Sequence, residues 1–152
     1  MDADDPDSQP RSFKRGESFG YVVNHLGRLF ARALETRLAA LGVPLGQFPL
    51  LIAFWEEDGL TQSEIARRLD LEQPTVANTL RRMQRDGLVT PSPDPDNRRR
   101  VLFHLTDRGR ALEQPLMAQA RAANSAASAT LEPAEAETLL ALMRKMIAGF
   151  KR

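Results

Sequence analysis

Residues 59–90, GLTQSEIARRLDLEQPTVANTLRRMQRDGLVT, decide the fold. Thr61 and Glu64 have the spacing of a capping box, in which the hydroxyl accepts the glutamate amide and the carboxylate reaches back. A short helix is therefore predicted from Thr61 to Leu69, with Ile65, Ala66 and Leu69 facing inward. Pro74 fits the first turn of a following helix, where its missing N–H is no loss, and Gly87 stops that helix. On a wheel of about 100° per residue, Val76, Leu80 and Met83 form one stripe. Pro74, Asn78, Arg81 and Arg85 lie opposite, flanked by Thr75 and Arg82. Two helices joined by a short turn, the second with a polar outer face, form a helix-turn-helix. The hydroxyl, amide and guanidinium groups of that face suit base edges and phosphates in a major groove.

On the C-terminal side the periodicity changes. The segment 88–106, LVTPSPDPDNRRRVLFHLT, contains two strand-like pieces, Leu88–Thr90 and Arg100–Leu105. The turn-rich PSPDPDN between them predicts a hairpin with a long mobile tip, followed by Arg98, Arg99 and Arg100. Thr106 caps a fifth helix, which bends at Pro115 and continues to about Ala129. A sixth helix runs from about Pro133 to Phe150. On the N-terminal side, apolar residues recur at spacings of three and four from Glu17 to Leu41, and Gly42 with Pro44 ends that helix. A second helix, about Gly46 to Asp58, places Phe48, Leu51, Ile52 and Trp55 on one face and stops at Gly59. Residues 1–16 read as a disordered arm, with four aspartates in the first seven positions and prolines at 6 and 10.

A chain of 152 residues with 42% hydrophobic composition makes one domain. Its net charge of +1 names no partner, but the distribution does. Residues 61–110 hold ten Lys+Arg against seven Asp+Glu, a net of +3, leaving −2 for the rest. Arginine on a thin hairpin suits a narrow A·T-rich minor groove, where the potential is most negative. Cysteine is absent, which excludes disulfides, thiolate metal sites, a cysteine nucleophile and thiol redox sensing. The two histidines, His25 and His104, are far apart in sequence, so neither a metal nor another cofactor is expected. No apolar run approaches the roughly 20 residues that span a bilayer. The opening MDADDPDSQPR is the reverse of a secretory leader, so the chain reads as soluble and cytoplasmic, away from membranes. An enzyme would need a nucleophile with its base, paired carboxylates or metal ligands. Glu56, Glu57 and Asp58 cluster at a helix end beside Gly59, where they read as a solvated terminus, so no enzyme is expected. A winged-helix adaptor that binds protein rather than specific DNA is the alternative, but it has no use for this arginine pattern.

The run 59–89, followed by DPDNRRRVLFHLTDRGRAL, resembles the MarR family of bacterial transcriptional regulators, and EQPT at 72–75 is similar to its SlyA-like members. The resemblance covers roughly Phe19 to Phe150. It implies a mainly α fold with a small β-hairpin wing: a winged helix-turn-helix core, about 46–106, in a single domain over 17–152. N- and C-terminal dimerisation helices, about 17–41 and 107–150, would flank that core. It further implies double-stranded DNA as partner, with Gln73, Pro74, Thr75 and Asn78 reading bases. Arg81, Arg82 and Arg85 would meet phosphates, as would Thr61, Gln62 and Ser63 at the start of the third helix. The family's wing Asp-x-Arg falls on Asn97, Arg98 and Arg99, making Arg99 the minor-groove arginine. Asn97 stands where an aspartate normally braces that arginine, with Asp96 one residue away as substitute, and Pro91 replaces an arginine found in many members.

A homodimer follows from apolar excess as well. Leu139, Leu142, Met143, Met146, Ile147 and Phe150, with Phe19, Tyr21, Val22 and Leu26, exceed what one small domain covers. Two-fold symmetry would set two recognition helices about 34 Å apart on a near-palindromic operator. The resemblance also implies a small aromatic or anionic effector and release of a repressor from its operator. His25, Arg28, Arg32, Phe48, Ile52 and Trp55 are the expected lining of its cleft. Lack of cysteine excludes the peroxide-sensing variant of the family.

Overall fold

The computed structural model describes residues 13–151. A 3-10 turn (Arg15–Glu17) leads into α1 (Phe19–Ala39), and a second 3-10 turn (Leu45–Gln47) leads into α2 (Phe48–Glu56). The helices α3 (Gln62–Leu69) and α4 (Gln73–Arg85) follow, then β1 (Val89–Pro93) and β2 (Val101–Leu105). The chain closes with α5 (Asp107–Ala111), α6 (Glu113–Ala127) and α7 (Pro133–Phe150). This is a winged helix-turn-helix, mainly α with one antiparallel hairpin, carried between long helical arms. The acidic arm expected over 1–16 lies outside the described residues up to position 12, and its last residues enter the first 3-10 turn.

The local signals act where the sequence puts them. Ser18 caps α1, its Oγ accepting the Tyr21 amide at 3.3 Å. The α3 capping box is complete, with Glu64 N–H to Thr61 Oγ1 at 3.2 Å and Thr61 N–H to Glu64 Oε2 at 2.7 Å. Gly87, at φ 73°, takes the left-handed conformation that ends α4. Asp70 does the same for α3 at φ 52°, which a short polar side chain tolerates.

Two boundaries differ from expectation. The first strand extends further into the tip than predicted, because Pro91 and Pro93 belong to β1, opposite Phe103 and Val101. Phe103 exchanges both backbone hydrogen bonds with Leu60 (N to O 2.8 Å, O to N 3.1 Å), so it points away from β1. Pro91 therefore sits at a non-hydrogen-bonded position, where the ladder asks for no N–H. Pro93, two residues on, shares that orientation, and Asp94 N–H then bonds Arg100 O at 3.1 Å. The expected fifth helix is two helices. Pro115 cannot donate to the carbonyl four residues back, at Ala111, and the chain breaks at Leu112 to restart as α6.

The core lies beneath the helix-turn-helix. Leu38 of α1, Leu50, Leu51 and Phe54 of α2, Ile65 of α3, Val76, Leu80 and Met83 of α4, and Leu116 of α6 are all fully buried. Leu60 and Leu88 close it beside the hairpin. By contrast, α7 buries no residue, and α1 buries only Leu38 near its C-terminal end. Among the described residues no helix is long and apolar enough to cross a membrane.

Candidate nucleic-acid interface

Burial of Val76, Leu80 and Met83 fixes the roll of α4 and sends its opposite face to solvent. Gln73, Pro74, Thr75, Asn78, Arg81, Arg82 and Arg85 are all exposed. The start of α3 is knitted to the start of α4: Gln62 Nε2 donates to Gln73 Oε1 at 2.9 Å, and Gln73 Nε2 to Ser63 Oγ at 3.3 Å. Thr61, also at this end, is held by its capping box. Further along, Arg81 Nη1 donates to Asn78 Oδ1 at 2.8 Å. Arg82 makes no side-chain hydrogen bond or ion pair among the described residues. The structure thus brings the expected α3 and α4 residues onto one continuous polar surface.

The C-terminal end of that surface is anchored by residues the sequence reading passed over. Asp86 Oδ2 accepts Gln47 Nε2 at 2.9 Å, and Asp86 Oδ1 accepts Arg85 Nε at 3.0 Å. The Gln47 amide, and after it Arg85, hold the Asp86 carboxyl below its ordinary range. Arg108 Nη1 adds a bond to the Asp86 carbonyl at 3.1 Å. Gln47 is buried with its own Oε1 unpartnered among the described residues. A glutamine just after Gly46, at the expected start of the second helix, resembles an ordinary solvated polar residue, so only its burial reveals the role.

In the wing, the tip is a hydrogen-bonded turn rather than a loose loop. Asn97 N–H bonds Asp94 O at 3.3 Å, and Arg100 N–H bonds Asn97 O at 2.9 Å. Asn97 Oδ1 accepts the Arg99 amide at 3.2 Å. The inward carboxylate is Asp94, not Asp96: Asp94 is 8% exposed, and its Oδ1 accepts the Asp96 amide at 2.9 Å. Arg98 and Arg99 are exposed, with no side-chain partner among the described residues. Arg100, outside the expected set, is the paired one, facing Glu64 and Asp94.

The residues expected to line an effector cleft fall into two groups. His25, Arg28 and Arg32 are exposed on α1, with His25 edge-on to Tyr21 at 6.1 Å. Phe48 is core, while Ile52 and Trp55 are half-buried against it. Trp55 packs edge-on to Phe48 at 6.2 Å and donates its indole N–H to Gly109 O at 3.0 Å.

Residues 43–101, which span α2, the helix-turn-helix, β1 and the wing turn, match the model of the MarR family. That segment is similar to the MarR family. Among curated proteins the chain is similar to the HTH-type transcriptional regulator TtmR of Methylorubrum extorquens, 34% identical over 61% of this chain and 48% of that protein. It is also similar to the HTH-type transcriptional repressor NicR of Pseudomonas putida, 33% identical over 66% of this chain and 64% of that one. The matches thus span about half to two thirds of these relatives' lengths. Among solved structures it resembles Bordetella bronchiseptica BpsR, whose DNA binding is regulated by 6-hydroxynicotinic acid. That likeness has a TM-score of 0.82 at 25% identity and covers 88% of this chain and 96% of BpsR.

Proposed function

We propose that this chain is a MarR-family, sequence-specific transcriptional regulator that binds a near-palindromic operator as a homodimer. The carrying observation is the roll of α4: one stripe fully buried, the opposite face offering Asn78, Arg81, Arg82 and Arg85, with Arg98 and Arg99 on the adjacent wing. In this reading Gln73, Pro74, Thr75 and Asn78 meet base edges in the major groove. Thr61, Gln62, Ser63, Arg81, Arg82 and Arg85 meet phosphates. Asn97 shapes the wing turn from which Arg98 and Arg99 enter the minor groove. The regulator acts in the cytoplasm as a repressor of the SlyA-like kind, and residues 17–152 form one functional unit.

The names of its relatives support a ligand-responsive repressor, since NicR is a repressor and BpsR answers to a hydroxylated aromatic acid. A small aromatic or anionic effector is proposed here too, lodged between the α1 flank with His25, Arg28 and Arg32 and the α2 face with Phe48, Ile52 and Trp55. Selection of bound duplexes from a random pool tests the central reading. A palindromic consensus with half-sites one helical turn apart is expected. Equal affinity for all duplexes overturns it.

A further inference from the structure

We propose that Arg100 is a positioning residue, latching the wing tip to the start of α3 and thereby aiming Arg98 and Arg99. The inference rests on the DNA-binding reading for its consequence, but not for its geometry. Three consecutive arginines look equivalent in sequence, yet the turn separates them. Arg98 and Arg99 have no side-chain partner among the described residues, whereas the Arg100 guanidinium lies between two carboxylates. Its Nη2 is 3.4 Å from Glu64 Oε1, and its Nε is 3.6 Å from Asp94 Oδ2.

Both carboxylates are fixed before Arg100 reaches them. The other Glu64 oxygen takes the Thr61 amide at 2.7 Å and the Thr61 hydroxyl at 3.0 Å. The other Asp94 oxygen takes the Asp96 amide, and Asp94 is itself largely buried. One guanidinium thus joins two preorganised acceptors, one on the DNA-facing helix pair and one inside the wing turn. The Glu64 carboxyl lies below its ordinary range, chiefly through the Thr61 amide, with the Arg100 charge adding to it.

The lever makes this matter. The wing is tied at its base by Leu60 to Phe103, and by Leu105 N–H to Asp58 Oδ1 at 2.9 Å. From Phe103 the strand runs outward at about 3.3 Å per residue, so a small rock at the base becomes a large displacement of Arg99. Arg100 is the side chain that spans from the tip back to α3. The ion pairs are half-exposed, so they add little to global stability while still selecting one tip orientation.

The test uses the full chain and three variants: Arg100→Ala, Glu64→Gln and the double variant. Glutamine keeps an acceptor for the Thr61 amide and removes the charge facing Arg100. Amide hydrogen exchange on the DNA-free protein should show faster exchange at positions 96, 99 and 100 in Arg100→Ala, with Phe103 unchanged. Unchanged exchange at the tip overturns the latch, even if the chain binds no specific DNA and the functional reading itself falls. On a selected operator, Arg100→Ala should weaken binding about tenfold, mostly by flattening preference at the A·T flanks, with the salt slope unchanged. Arg100→Ala should have much less effect in the Glu64→Gln background. A salt slope smaller by about one, with additive losses, would mean that Arg100 contacts phosphate, and it overturns the proposal.

Discussion

Gly109 shows how much one missing methyl group holds together. A Cβ there would lie 2.4 Å from the Leu88 carbonyl oxygen and 2.9 Å from Leu105 Cδ2, while the Gly109 carbonyl receives the Trp55 indole. The base of the wing, α5 and α2 therefore meet at a point with no spare volume. Gly109→Ala should lower stability by about 1–3 kcal/mol in urea unfolding. Gly46→Ala, where a Cβ meets open space, is the control and should change little. At the same scale, the exposed arginines divide by role. Arg99→Ala should weaken operator binding by about 1–3 kcal/mol and relax the A·T flank preference. Arg82→Ala should weaken all sequences alike and reduce the slope of log affinity against log salt by about one. Titrations on matched and scrambled duplexes at several salt concentrations separate the two. The residues of the α4 face were legible because the helical period sorts them. Gln47 was not, because nothing local marks a polar side chain that becomes buried against Asp86, 39 residues away, and Asp94 was not, because which of the tip's two aspartates turns inward depends on how the turn closes.

Elements were readable wherever a stop or start signal is local. The capping box of α3, Pro74 at the start of α4, the glycine ends and the span of α7 all stand where the residues put them. The hairpin was harder. Proline read as turn, yet a strand with a free edge accepts proline at alternate positions, and only the pairing of Phe103 with Leu60 reveals which positions those are. The break at Leu112 was displaced from its cause for a similar reason, since Pro115 acts four residues upstream of itself. The ends of α3 and α4 also carry a pH dependence. Glu64 caps α3 and Asp86 follows α4, and both carboxyls lie below their ordinary values of 4.5 and 3.8. A group with a depressed folded pKa contributes its stability above the unfolded value and loses it as pH falls through the folded one. The urea midpoint should therefore decline as pH drops below about 4.5. That decline should be shallower in Glu64→Gln and in Asp86→Asn, measured from pH 7 to pH 3 (the acid range spanning both carboxyls).

For the molecule as a whole, the arms pose the main question. Phe19, Val22 and Leu26 on α1 are exposed, as are Leu139, Leu142, Met143, Met146, Ile147 and Phe150 on α7. The sequence revealed the apolar excess but could not divide it between an internal core and a partner. In the described protomer none of it goes to an internal core. A second copy covering these faces would remove far more apolar surface than scattered surface residues do. Ile147→Asp and Leu142→Asp should each yield a monomer by light scattering and abolish operator binding, while wild type runs at twice the protomer's mass. A monomeric wild type would refute the pairing. Because α7 has no buried residue of its own and an isolated helix of that length is marginal in water, the proposed dimer would tie its folding to the meeting of two chains. Dilution of that dimer should then act like an inducer: the expected outcome is a melting temperature that drops with concentration and an operator released with no small molecule involved.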